Sequence, residues 1–411
     1  MRIACIGGGP AGLYFAILAK LRDPTNEVTV FERDPAGVTY GWGVTILDDL
    51  LDDLFRMDPV SAQQIWDSSD RWDEYDVCVG GKPTKHLVGY GFSVGRHRLL
   101  GILAERAKGL GVDIRFQSEV DDPAVLDGAD LVVACDGANS RVRRRHVDHF
   151  QTDIGVGRNK YIWLGTQKAF EKFTFAFEET GAGWIWLYAY PFTGGASTCI
   201  VECPPETWHA LGFDVLGPDE SIRLLEGIFA RHLGGHPLIN QMRGLGRTAW
   251  LNFNWITNER WHHDRVVLLG DAAHTTHFAI GVGTKLAIQD AVGLAENLAG
   301  NADLDAALTS YEAQRRAAVE PMQRAARRSA EWFENLPRHV DQNATRFAYS
   351  LWNRRGEHPV WRYALHLASQ HAAVRAMVRW LLTGRKWVRS RRRFAVAGKR
   401  QLPGAASNIA G

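Results

Sequence analysis

The chain begins with a short β-type run, RIACI (residues 2–6), then GGGPAG, the helix-like LYFAILAKL and a second strand-like run, EVTVFE (27–32). A strand, a tight turn, a helix and a strand within about 30 residues form a βαβ unit, and such a unit requires a parallel sheet. The turn carries Gly7-x-Gly9-x-x-Gly12. Gly7 permits the sharp turn, Gly9 lets backbone approach a pyrophosphate, and Gly12 lets helix and strand pack closely. The helix start at Pro10 and Ala11 offers free N–H groups and a positive dipole end to phosphate. Glu32 stands twenty residues after Gly12, where a carboxylate accepts hydrogen bonds from ribose hydroxyls. In that context the motif points to a bound dinucleotide. Arg33, next in the chain, is either an adenine-side contact or a surface charge.

Further along, LVVACDG (131–137) and RVVLLGD (265–271) read as buried strands ending in acid and glycine. Between them GWIWLYAYPF (183–192) places Trp184, Trp186, Tyr188 and Tyr190 on one face of a strand, and STCIVE (197–202) looks like its hairpin partner. From Thr284 onward the pattern is helical. The expected organisation is α/β: a parallel-sheet nucleotide domain (1–75, 96–156 and 255–330), interrupted by an antiparallel-sheet substrate domain (76–95 and 157–254). A helical C-terminal region (331–411) follows. In it WRYALHL puts Trp361, Leu365 and Ala368 on one face, expected to pack over the nucleotide domain or another subunit. Its basic tail, from Gly384, is either solvated charge or a docking patch for an anion.

The bulk numbers narrow the classes. A net charge of +2 gives no global field for nucleic acid, and five scattered cysteines without a CxxC pair suggest neither a disulfide framework nor a zinc knuckle. No window approaches the roughly 18 apolar residues of a membrane span, and the N-terminus does not read as a signal peptide. A soluble protein of the reducing cytoplasm is expected, as monomer or homodimer.

Two more motifs specify the cofactor. Asp136-Gly137-Ala138-Asn139-Ser140 with Arg143 fits DGxxSxxR, and Gly270-Asp271-Ala272-Ala273-His274 fits GDAAH, followed by Gly281 and Gly283. Together with the first glycine motif they resemble the group A flavoprotein aromatic monooxygenases from residue 1 to the region of residue 335. That resemblance implies a p-hydroxybenzoate-hydroxylase-like fold with a Rossmann-like FAD-binding domain. The residues agree physically. Asp271, at a strand end, can accept hydrogen bonds from ribitol hydroxyls. The helix from Thr284 would aim N–H groups at the flavin edge that becomes negative on reduction. In the family Asp136 and Gly137 lie near the pyrophosphate and shape the nicotinamide approach, and Arg96 matches a flavin-contacting arginine, its bland reading being an exposed helix start. The loop Tyr40-Gly41-Trp42-Gly43-Val44 borders the flavin in the family, Gly43 within it; a tight turn explains it equally well.

The segment after GDAAH, HTTHFAIGVGTK, lacks the proline common in the family. With GRNKYIWLGT (157–166), IVEC (200–203) and LGGHPL (233–238), it is similar to salicylyl-CoA 5-hydroxylases and to the monooxygenase part of 2-aminobenzoyl-CoA monooxygenase/reductases. Violacein-pathway indole hydroxylases share the departure. The resemblance implies hydroxylation of an electron-rich aromatic ring with FAD, NADH or NADPH and O₂, through a flavin C4a-hydroperoxide. The substrate would be an aryl-CoA thioester or, alternatively, an indole or other aromatic free of CoA. A flavin dehydrogenase without oxygen insertion is the reading from a different class. The cluster Arg141, Arg143, Arg144 and Arg145 would suit CoA phosphates, and solvated charge explains it as well.

Candidate substrate contacts are Trp163, Trp186, Tyr188 and Phe278, with packing against helices as the plain alternative; Tyr161 shares that ambiguity. His274 and His277 are the candidate catalytic residues: His277 could accept a proton from a phenol or aniline, or could only line a cavity. No metal is expected. An extended strand at about 3.3 Å per residue would hold His262 and His263 roughly 20 Å from His274 and His277.

Overall fold

In a computed structural model, which describes residues 1–39, 41–120, 122, 126–240, 250–301, 303–356, 359 and 361–381, two sheets share the chain. The first has six strands. Strand Arg2–Ile6 pairs in parallel with Glu27–Phe31 on one side and with Leu131–Ala134 on the other. Val266–Leu268 and Asp113–Arg115 extend it, also in parallel. Leu131 to Ala134 are all buried, which is why that run shows no polar alternation. Helices Pro10–Arg22 and Gly283–Gly300 pack against each other, and both join the core built around this sheet.

The edge beyond Val266–Leu268 is a two-residue antiparallel strand, His262–His263. That hairpin stands where the sequence suggested one extended run. The chain doubles back, so the Trp261 carbonyl accepts from the Leu268 N–H and the Trp261 ring stacks on His274 with centroids 5.0 Å apart. His262 itself bonds Glu312 and His263 stacks on His149, so the two histidine pairs keep separate partners. Among the described residues no group of three or more His, Cys, Asp or Glu could hold a metal ion.

The second sheet runs in the order Leu238–Ile239, Thr152–Thr166, Ala196–Cys203, Gly183–Thr193, Phe173–Thr180, Asp70–Val79, Lys85–Gly95, Gly43–Ile46, with Leu251–Asn258 also paired to Thr152–Thr166. It is antiparallel except at one seam, where Asp70–Val79 and Phe173–Thr180 run parallel. A parallel pair needs a crossover; here helix Arg96–Gly109 and two strands of the first sheet lie within it. The sheet starts earlier than the sequence suggested, since it recruits Gly43–Ile46, and strand Asp70–Val79 spans the expected 75/76 boundary.

Period-two alternation divides this sheet into two faces. Trp186, Tyr188 and Tyr190 pack with Phe175, Phe177 and Ile200 against Trp332, Phe333, Phe347 and Leu351 of the C-terminal helices. Ile185, Leu187 and Ala189 point the other way, against Leu225, Phe229 and Leu233. Helix Leu304–Glu334 packs on the nucleotide domain through Leu308, Tyr311 and Val319, while its end, with helix Ala344–Asn353, covers the aromatic face of the second sheet, so this region does not sit on the nucleotide domain alone. Helix Trp361–Ser369 also differs from expectation. Trp361 and Leu365 are more than half exposed, and the buried residue is His366, whose ring bonds the Thr345 carbonyl at 3.0 Å. Polar anchors, not the apolar stripe, seat this helix. The basic tail from Gly384 and Tyr40 lie outside the described residues. Among the described residues no helix is long and apolar enough to cross a membrane.

Candidate active site

The first βα turn forms as its glycines require. Gly7 sits at φ +116, and a Cβ there would lie 2.3 Å from the Cys135 carbonyl oxygen. Gly12 faces the Gly7 carbonyl oxygen at 2.3 Å and Cys135 Sγ at 2.6 Å from the same hypothetical atom. Gly9 caps helix Pro10–Arg22 in extended backbone, and a Cβ on it would meet nothing within 4 Å. Two of these glycines therefore serve packing, and Gly9 faces open space.

That space is one cavity of about 760 Å³ running between the two sheets. Its nucleotide-side wall contains Gly9, Pro10, Ala11, Arg96, Gly137 and Asp271, and the turn Gly281, Gly283, Thr284 continues it. Two helix N-termini, at Pro10 and at Gly283, thus open onto the same space. Its far end is aromatic, with Tyr75, Phe173, Phe175, Tyr161, Trp163 and Phe278 among its walls. Phe278 bridges the halves, its ring 4.7 Å from that of Tyr161. Asp271 opens to the cavity while enclosed by the fold; desolvation pushes its carboxyl up, against the opposing pull of His274 and Arg96. Arg96 lies opposite in kind: burial pushes its guanidinium down, while the charges of Asp271 and Glu32 support it, and its Nε donates to Thr39 Oγ1 at 3.0 Å.

Other residues singled out in the sequence surround the cavity without lining it. Glu32 braces the glycine turn, its carboxylate accepting from the Gly8 N–H at 2.6 Å and the Asp34 N–H at 2.9 Å. Arg33 is exposed beside Asp34. Asp136 accepts from the Arg141 N–H at 2.7 Å, and its other oxygen is buried without a partner. Gly43 is wedged under Phe192, a Cβ there falling 2.4 Å from Phe192 Cβ, and its carbonyl accepts from Tyr190 Oη. Arg143, of the same DGxxSxxR stretch, is buried and ties the two later motifs together, donating to the carbonyls of Ala272 and Ala138. That contact does not leave it free for CoA phosphates.

The two histidines are also behind the wall. His274 Nε2 meets Asp290 Oδ2 at 2.7 Å; the other carboxylate oxygen accepts from Arg315 Nε at 2.8 Å, and the Gly270 N–H also bonds Oδ2. Burial alone would push the Asp290 carboxyl up, but the charges and hydrogen bonds of His274 and Arg315 outweigh it and hold it below the ordinary range. This network fixes the GDAAH turn from beneath. His277 is buried among Phe253, Trp255 and Phe278, and its Nδ1 accepts from the Ala279 N–H. Burial drives it down to about 3, so it is a neutral ring at neutral pH, facing aromatic neighbours. The geometry gives both histidines a positioning place, because the chain turns their neighbours Thr275, Thr276 and Phe278 to the cavity instead.

Of the four candidate substrate contacts, Trp163, Tyr188 and Phe278 line the cavity and Trp186 does not. Trp186 is fully buried, stacked on Phe333 with centroids 5.6 Å apart. It and Tyr188 converge on Glu202, a residue the sequence reading passed over: Tyr188 Oη donates to Glu202 Oε2 at 2.6 Å, Trp186 Nε1 at 3.3 Å, and Asn159 Nδ2 to Oε1 at 2.8 Å. Desolvation dominates these bonds and pushes the carboxyl up to about 7. An acid inside the alternating apolar run CIVEC was the available signal.

A stability effect follows from Glu202. The folded state keeps its proton up to about pH 7, whereas the unfolded chain releases it near 4.5. Its contribution is therefore full below 4.5 and lost as pH rises to about 7, a loss of about 3 kcal/mol. Glu202→Gln should flatten the melting temperature across that pH window. A wild-type slope that survives the substitution would exclude Glu202 as its source.

The fit to a flavin dinucleotide rests on these features together. An open cradle at Gly9, two helix N-termini facing one cavity and a carboxylate open to it suit a ligand with phosphates at one end and a flat ring further in. Residues 86–326 match the FAD binding domain family. The chain belongs to that family of FAD-dependent aromatic monooxygenases. Among its relatives is a salicyloyl-CoA 5-hydroxylase of a Streptomyces species, 41% identical across 86% of this chain and 70% of that protein. The 3-hydroxy-4-methyl-anthranilyl-[aryl-carrier protein] 5-monooxygenase of Streptosporangium sibiricum is 37% identical, across 86% and 96%. Protodeoxyviolaceinate monooxygenase of Chromobacterium violaceum is 30% identical, across 91% and 100%. The solved structure of 2-methyl-3-hydroxypyridine-5-carboxylic acid oxygenase shares the fold, with TM-score 0.65 at 21% identity over 82% of this chain and 91% of that one.

Proposed function

We propose that this enzyme hydroxylates an electron-rich aromatic ring carried as a thioester, on coenzyme A or an aryl-carrier protein, with NADH or NADPH as reductant and O₂ as co-substrate. The observation that carries this reading is the single cavity joining the glycine turn and Asp271 to an aromatic chamber. Two relatives whose names specify a CoA-linked and a carrier-linked aryl substrate support the thioester.

In this reading the N–H groups at Gly9, Pro10 and Ala11 take the pyrophosphate, and Gly7 and Gly12 keep that turn tight. Asp271 takes the ribitol hydroxyls, and Arg96 balances its charge. Gly281, Gly283 and Thr284 present the second helix N-terminus to the ring system. Glu32, Asp136 and Gly137 shape the ribose and pyrophosphate ends. FAD, when bound, supplies the reducing equivalents that activate O₂ for transfer of one oxygen atom to the substrate ring. The chain's own residues hold the aromatic substrate between Phe278, Trp163 and Tyr188, and their rings exclude water. His274 and His277 act by positioning, through Asp290 and the Ala279 N–H.

The purified protein should release FAD, and its NAD(P)H oxidation should accelerate with the right ligand. The deciding measurement is ¹⁸O₂ incorporation with 2-hydroxybenzoyl-CoA, 2-aminobenzoyl-CoA, a carrier-loaded aryl thioester, the free acids and indoles. Label appearing in a thioester product supports the proposal. Incorporation confined to indoles moves the substrate to the class of the violacein relative, and reduction of an acceptor without label rejects oxygen insertion.

A further inference from the structure

Two arginines stand at the aromatic end of the cavity, and neither belongs to the three glycine-bearing motifs. Arg354 and Arg355 end helix Ala344–Asn353, past the segment matched to the FAD binding domain. Arg354 is 8% exposed, and each of its three guanidinium nitrogens donates to a neutral acceptor: Ser329 Oγ at 3.0 Å, the Leu351 carbonyl at 2.6 Å and the Ala279 carbonyl at 2.8 Å. Its guanidinium lies over the rings of Phe175 and Phe333, at 5.4 and 5.5 Å. Arg355 opens to the cavity, anchored by one hydrogen bond to the Ile280 carbonyl at 3.2 Å, beside the Gly281 turn. Among the described residues neither arginine is paired with a carboxylate.

Arg354 is a cation buried in the aromatic wall, and Arg355, exposed at the cavity's edge, adds a second positive charge beside it; such a buried cation is costly unless a negative group joins it. Burial and the neighbouring charge of Arg355 already push Arg354 down to about 9. Arg354 is locked into the wall by its three bonds, while Arg355 keeps most of its planar donor fork for a ligand.

We propose that Arg355, backed by Arg354, forms an oxyanion-binding corner that takes a negatively charged oxygen on the substrate's ring and so sets which aromatics the enzyme accepts. The corner deepens the substrate reading above and rests on it. In a thioester-borne ring the oxygen is a phenolate; in a free aryl acid it is the carboxylate. An electron-rich phenolate is also the form that electrophilic attack favours, so the corner would both select and activate the ring.

The test is equilibrium binding to the FAD-loaded enzyme, read by the flavin absorbance change, for the wild type, Arg355→Gln and Arg355→Lys. Three probes are compared: benzoate, 2-hydroxybenzoyl-CoA and benzoyl-CoA, which lacks an anionic ring oxygen. Arg355→Gln should weaken the first, the second or both by about 30-fold or more and benzoyl-CoA less than threefold, with Arg355→Lys recovering part of the loss. Loss on benzoate alone keeps the corner but assigns it a carboxylate, which counts against the thioester reading. Equal loss on all three probes, or none on any, overturns the corner. Should Arg355→Gln fail to fold, Arg355→Lys carries the comparison alone, because it keeps the charge and removes the bidentate geometry; an unchanged ratio of anionic to neutral binding in it would also overturn the proposal.

Discussion

Gly12→Ala is expected to leave the purified enzyme without FAD and to lower its melting temperature. The added Cβ would fall 2.3 Å from the Gly7 carbonyl oxygen and 2.6 Å from Cys135 Sγ. One of those neighbours is backbone at the end of the central strand, so the helix must shift rather than a side chain turn away. Overpacking of this kind costs about 1–3 kcal/mol, and displacing the helix N-terminus should weaken FAD binding by about 100-fold or more. Gly9→Ala separates the two consequences. Gly9 has extended backbone, with nothing within 4 Å of a Cβ, so the fold should keep its stability while the new methyl intrudes on the cavity. Fluorescence titration with FAD and thermal melts of both variants check this. Equal melting losses in the two would mean that the Gly12 contact is not what sets the turn.

Asp290→Ala carries the other large effect. Its carboxylate is fully buried and serves His274, Arg315 and the Gly270 N–H together. Removing one member of a buried charged set leaves the others uncompensated, at a cost of about 3–5 kcal/mol. The wild-type sign is the ordinary carboxylate one: the folded pKa is depressed, so the contribution is full above the unfolded value of about 3.8 and fades as pH falls below it. Urea denaturation at neutral pH should show the loss, and acid titration of Asp290→Asn should show a shallower decline than the wild type. A change under 1 kcal/mol in the alanine variant would mean the network does not hold the GDAAH turn.

The parallel unit and the three motifs were legible because their signals are local: glycine spacing, strand-to-helix succession and an acid at a strand end. The aromatic face at Trp186, Tyr188 and Tyr190 was legible from alternation alone. What alternation could not tell is which ring of one face meets the cavity and which meets Phe333, since a distant helix decides that. His274 and His277 drew attention by type and spacing, yet their exposure depends on Trp261 and Trp255, brought in by a hairpin and a neighbouring strand. Asp290, an acid in the apolar helical run LAIQDAVGL, was the better clue to a buried network. Arg354 and Arg355 gave no local sign, because nothing nearby in the sequence shows that their helix closes the far end of the cavity.

The parallel seam between Asp70–Val79 and Phe173–Thr180 has a consequence for how the chain acquires its shape. The strand completed early must wait about a hundred residues for its partner, and those residues include one edge strand and one interior strand of the other sheet. Pairings this distant in sequence are slow to form. During synthesis the aromatic face would stand uncovered until the last helices emerge, so truncation before residue 344 should yield aggregation rather than a smaller working enzyme. Neither sheet can be excised as a module: the two must be finished together.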